Sequence, residues 1–119
     1  MCIICENIND PSKLSRLTYI NCSGCTSLTR IPDGLTKLTH LYCRGCTNLA
    51  HISDNLPNLV LLNCSECTSL TRIPSGSVNL VALYCFRSTY LISIPNLPKL
   101  VILSCSECIY LTSIPKELV

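Results

Sequence analysis

Residues 21–34 read NCSGCTSLTRIPDG and residues 63–76 read NCSECTSLTRIPSG, a near copy within one chain of 119 residues. The LYC tripeptides that begin at 41 and 83 also match each other, so a two-unit ancestor has been duplicated. A shorter period runs beneath the copy. The leading cysteines of successive units are Cys2, Cys22, Cys43, Cys64, Cys85 and Cys105, in steps of 20, 21, 21, 21 and 20. A fixed period of this size is the signature of a stacked array, in which no unit buries its apolar face alone and each depends on its neighbours.

Aligned on the cysteines, the units carry L-x-x-L-x-C-x-x-C-x-x-L-x-x-I, usually followed by proline. Leu38, Leu41, Cys43, Cys46, Leu49 and Ile52 show it, with Ser53 where proline usually stands. Arg30-Ile31-Pro32, Arg72-Ile73-Pro74, Ser93-Ile94-Pro95 and Ser113-Ile114-Pro115 mark the same point in other units. Proline has no amide donor and a fixed φ, so these steps predict an extended or turning return segment and almost no helix on that side. Upstream, Leu17/Ile20, Leu59/Leu62, Leu80/Leu83 and Leu100/Leu103 stand three apart, with cysteine two residues later. The period-2 step from Leu41 to Cys43 is that of a short strand with one buried face.

This pattern resembles the leucine-rich-repeat family, whose L-x-x-L-x-L-x-x-(N or C)-x-L is met here by five successive units over residues 14 to 119, with a degenerate unit before them. The short repeat and the I-P step look like the cysteine-rich arrays of large DNA viruses and, more distantly, the repeats of plant immune receptors. The resemblance implies one solenoid domain over 1–119, with a curved parallel sheet on the concave side and extended or turn structure on the convex side. It also implies a protein-binding role, with a host protein as partner if the viral likeness holds. Cysteine replaces the family's usual third leucine, and the end units show no capping module. Ile3, Ile4, Leu118 and Val119 would then lie at open apolar ends, which invites end-to-end self-association.

Composition narrows the alternatives. Apolar residues make up 48% of the chain and charged residues 13%, too apolar for disorder. The longest aliphatic stretch, Leu59 to Leu62, is far below the ~18–20 residues that span a bilayer. The opening MCIICENIND has neither a basic region nor an apolar run of signal-peptide size, which places the chain in the cytoplasm. A formal charge of +2 from scattered cations gives no footprint for nucleic acid or an acidic membrane.

Eleven cysteines in regular register are expected as reduced, inward-facing thiols, the first of each pair filling a leucine position and the second satisfying carbonyls at the bend. The competing reading is zinc. Cys22, Cys25, Cys43 and Cys46 form C-x-x-C, seventeen residues, C-x-x-C, a common zinc spacing. That spacing recurs at Cys64, Cys67 and Cys85 and breaks at Ser88 without loss of the repeat, so no metal or other cofactor is expected. Thr26, Thr47, Thr68 and Thr89 are expected to cap turns through side-chain hydrogen bonds. His40 and His51 fall on different faces.

Recognition is left to strand positions that vary from unit to unit. The candidate partner-binding residues are Tyr19, His40, Tyr42, Arg44, Leu61, Asn63, Glu66, Tyr84, Phe86, Arg87 and Glu107, centred where Tyr42 and Tyr84 flank Asn63. Asn21, Ser23, Ala82, Ile102 and Ser104 complete the rows. No nucleophile–base grouping, paired carboxylates or phosphate-cradling loop stands at useful spacing, and only 4 glycines are present, so no enzyme activity is expected.

Overall fold

The computed structural model describes residues 2–112 and 114, and shows a parallel β-solenoid of about four turns, each of about 21 residues, with little helix. Each coil contributes three residues to one five-stranded sheet: β1 (Tyr19–Asn21), β3 (His40–Tyr42), β5 (Leu61–Asn63), β6 (Ala82–Tyr84) and β7 (Ile102–Ser104), adjacent in that order. The return segments form a second parallel pair, β2 (Arg30–Ile31) with β4 (His51–Ile52), extended by a bridge between Arg72 and Ser93. The isoleucine–proline steps are thus a second narrow face, extended as expected. Ser113, Pro115, Leu118 and Val119 lie outside the described residues.

The register accounts for the core. Leu41 pairs with Ile20 and Leu62, and Leu62 with Leu83, so each strand's middle residue stacks in one inward row. Further rows run parallel to it, among them Leu38, Leu59 and Leu80 before the strand, Leu28, Leu49, Leu70 and Leu91 after it, and Ile31, Ile52, Ile73 and Ile94 on the return face; all are buried. One row is interrupted: Leu14, Leu35, Leu56 and Leu97 are buried, while Ser77 takes the fourth place in the series. Its hydroxyl is fully buried and has no hydrogen-bond partner among the described residues. Leaving a polar group in that state costs about 1–3 kcal/mol. Ser77→Ala is therefore expected to raise stability by roughly 1 kcal/mol, read as a higher denaturant midpoint at unchanged slope; a lower midpoint would mean that the hydroxyl is satisfied. Next to it, Gly76 is dictated by contact: a Cβ there would lie 1.9 Å from the carbonyl oxygen of Asp54.

The cysteine turns stitch the coils together. A Cys25 N–H to Cys22 carbonyl bond of 3.0 Å closes the first turn, and Cys43–Cys46, Cys85–Ser88 and Cys105–Cys108 close likewise. The third position of the turn is left-handed in every coil, at Gly24, Gly45, Glu66, Arg87 and Glu107. The second cysteine then donates its thiol to the carbonyl of the preceding coil's first cysteine: Cys46 to Cys22 at 3.0 Å, Cys67 to Cys43 at 3.1 Å and Cys108 to Cys85 at 2.9 Å. Where cysteine gives way to Ser88, the hydroxyl makes the same bond to Cys64 at 2.6 Å. That equivalence explains why the repeat survives the substitution.

The threonines do not cap these turns. No side-chain hydrogen bond is made by Thr26, Thr47, Thr68 or Thr89 among the described residues; instead Asn48 and Ser69 donate to the carbonyls of Thr26 and Thr47 one coil back. The first end also differs from an open repeat. Ahead of β1 the chain forms α1 (Ile3–Glu6) and a 3-10 turn (Pro11–Leu14), and Ile4 and Leu14 are wholly buried against the first coil. Ile4 is therefore not at an exposed apolar end: the N-terminal helix covers that end of the core.

Candidate functional site

Strand alternation turns Tyr19, His40 and Leu61 outward as one row and Tyr42, Asn63 and Tyr84 as the next, each in register. The ladder continues past the strands. Gly24 bonds to the Arg44 carbonyl, Gly45 to that of Ser65 and Glu66 to that of Phe86, so Arg44, Ser65 and Phe86 form a third row. Glu66, Arg87 and Glu107 form the fourth, in the left-handed turn. All eleven candidate residues thus lie on one side of the solenoid, along the five-stranded sheet and the turn that follows it.

Two clusters organise that side. Tyr19 and Tyr42 are in tilted contact, with ring centroids 5.3 Å apart. Farther along, Phe86 lies between two guanidinium groups, Arg44 at 5.3 Å and Arg87 at 5.2 Å from its ring centroid. Arg44 and Phe86 are two coils apart and meet because Ser65, in the intervening coil, is small and buried, with its hydroxyl accepting the Phe86 N–H. Arg44 also pairs with Glu66 at 2.9 Å, and Arg87 pairs with Glu107. Hydrogen bonding to Glu107 raises the Arg87 pKa further, so this guanidinium stays charged.

Asn63 has a structural task, since its side-chain oxygen accepts the Ser65 N–H at 3.1 Å, as Asn21 does for Ser23. His40 is held at Nδ1 by the Thr39 hydroxyl at 2.9 Å, and His51 lies on the other sheet. Beside the Phe86 cluster runs an open groove of about 720 Å³ between two rows: Gly45, Glu66, Arg87 and Glu107 on one side, Thr47, Thr68, Thr89 and Ile109 on the other. The sequence assigns the threonine row to turn capping, which left it outside the candidate residues. Its uncommitted hydroxyls, two residues after each left-handed position, are the signal that could have found it.

The quartet with zinc-like spacing does not assemble. Cys43 and Cys46 are spent on the inner ladder, and among the described residues the one group of three or more ligating side chains within 4.8 Å of one another is Cys2, Cys5 and Cys25. No helix among the described residues is long and apolar enough to cross a membrane. Comparison with protein-family models, with curated proteins and with solved structures returned no match.

Proposed function

We propose that the chain is a leucine-rich-repeat type solenoid whose five-stranded sheet is the concave face, and that this face is a non-catalytic, cytoplasmic protein-binding surface. The observation that carries the reading is the left-handed row. Glycine occupies the position in the first two coils, at φ 76° and 75°, yet Glu66, Arg87 and Glu107 adopt φ 59°, 59° and 61°. A non-glycine residue in this conformation costs about 1 kcal/mol or more. The turn itself forms with glycine at Gly24 and Gly45, so the turn does not require these charged side chains. Strain of this kind clusters where a surface has work to do, and here it coincides with the Arg44–Phe86–Arg87 stack and the adjoining groove. Tyr, Phe and Arg together combine large apolar contact with polar ends, the composition of interface anchors.

A photo-crosslinking residue replacing Phe86, compared with one replacing Arg30 on the opposite face, tests the assignment in extracts and identifies the partner. Adducts from position 86 alone support it; equal labelling from both positions, or adducts only with other copies of this chain, overturn it. With the partner in hand, Tyr42→Ala and Tyr84→Ala are each expected to weaken binding by roughly 2 kcal/mol without lowering the melting temperature. Arg87→Gly is expected to fold as well as the parent and to bind less tightly. Unchanged affinity in all three would move the site off this face.

A further inference from the structure

The first coil lacks what the later ones have. Cys46, Cys67 and Cys108 each donate a thiol to a carbonyl of the coil before. Cys25 heads the series, and what precedes its coil is the helical cap. Two cysteines of that cap meet it instead. Cys2 and Cys5, three apart in sequence at the start of α1, share one side of the turn. Their sulfurs are 3.7 Å apart, and Cys5 Sγ is 3.7 Å from Cys25 Sγ. All three thiols are half-buried, reachable from solvent yet fixed by backbone packed on the core through Ile4.

We propose that Cys2, Cys5 and Cys25 form a tris-thiolate site for a thiophilic d¹⁰ cation, with Zn²⁺ as the metal it fits, clamping the N-terminal cap to the first coil. The sulfur spacing matches that of a coordination shell in two of the three pairs, and all three sulfurs lie within 4.8 Å of one another. With Zn–S bonds of about 2.3 Å, the edge of a tetrahedron of sulfurs is about 3.8 Å, against the 3.7 Å found for two of the three pairs. The ligands come from two elements, so a bound ion cross-links them. A cleft lined by Cys2, Asn21, Cys22, Ser23, Gly24 and Cys25 adjoins two of the three thiols and opens the cluster to solvent. Binding releases the thiol protons to solvent as the cation takes their place.

The test titrates the reduced, chelator-stripped full chain with Zn²⁺ alone against a chromophoric chelator, and repeats it with Co²⁺ to read sulfur-to-metal charge transfer and tetrahedral ligand-field bands. One ion per chain is expected, with a rise in melting temperature. Cys25→Ser, Cys2→Ser and Cys5→Ser should each weaken it roughly 100-fold or more, while Cys105→Ser, at a half-buried thiol outside the cluster, leaves it unchanged. Circular dichroism of the metal-free variants checks that each folds, and the two cap variants keep the test decisive if Cys25→Ser does not. Uptake no stronger than that of a Cys2/Cys5/Cys25 triple serine variant would overturn the proposal. So would loss of the ion in Cys105→Ser, or a Cys2–Cys5 disulfide as the sole state recovered, with no metal bound after reduction.

Discussion

Held in reductant and taken from pH 8 to pH 10, the chain is expected to lose most of its stability. The cause is the inner row of thiols. Burial holds Cys64, Cys85 and Cys22 well above the ordinary thiol value, and a hydrogen bond in which the Cys43 thiol donates to Cys67, then burial, does the same for Cys43. In the unfolded chain these thiols ionise near the usual value of about 8.5. Below that pH both states keep the proton and the folded state loses nothing. Above it the unfolded chain sheds protons that the folded chain retains, so stability falls with rising pH until the raised folded values are reached. Each such thiol removes about 1.4 kcal/mol per pH unit. Four acting together remove about 5 kcal/mol per unit, against a total stability of roughly 5–15 kcal/mol for a domain. Urea midpoints measured at half-unit intervals should drop steeply from pH 8.5, and Cys64→Ala with Cys85→Ala should flatten the slope even if the midpoint at pH 7 is lower. A midpoint level from pH 8 to pH 10 would show that the row is not buried.

The same cysteines show how much could be read from the chain before its structure. Leu41, Leu62 and Leu83 were legible as an inward row because a period of 20 or 21 residues with fixed offsets leaves one stacking solution. The return face was legible at Arg30–Ile31 because Pro32 excludes helix there, and at His51–Ile52, where Ser53 stands in place of proline, through the register of the repeat. The N-terminal segment was not. Its Cys2-x-x-Cys5 copies the spacing of the turns, yet here the chain closes local hydrogen bonds as α1, with the Glu6 N–H on the Cys2 carbonyl at 3.0 Å. From that difference in local structure come both the covered end and the meeting of Cys2 and Cys5 with Cys25. The candidate face was legible as strand positions that vary, since alternation fixes which residues point out. Its arrangement was not: the reach of Arg44 over Ser65 to Phe86 depends on the size of a residue in the coil between, and the left-handed backbone at Glu66 becomes visible in sequence only through Gly24 and Gly45 at the same offset.

Leu62→Ala is expected to cost about 2–5 kcal/mol, and where in that range it falls follows from how a solenoid bears a cavity. Leu62 is fully buried at the centre of β5, the middle strand of the five, with Leu41 on one side and Leu83 on the other. Side chains can close over a void when their own backbone shifts. Here the backbone of each neighbour is pinned on the far side as well, with the Cys22 N–H bonded to the Tyr42 carbonyl at 2.7 Å and the Cys85 N–H to the Ser104 carbonyl at 2.8 Å. Relaxation at the middle coil would break ladder bonds in both directions, so the site collapses little and the loss should lie in the upper half of the range. The equivalent change at Leu103, half-buried in the edge strand β7, has one pinned neighbour and already touches solvent, and should cost less than half as much. Denaturant unfolding of the two variants measures the difference directly. A small loss at Leu62, or equal losses at both positions, would mean that coils yield independently and that the stacked rows do not act as one core.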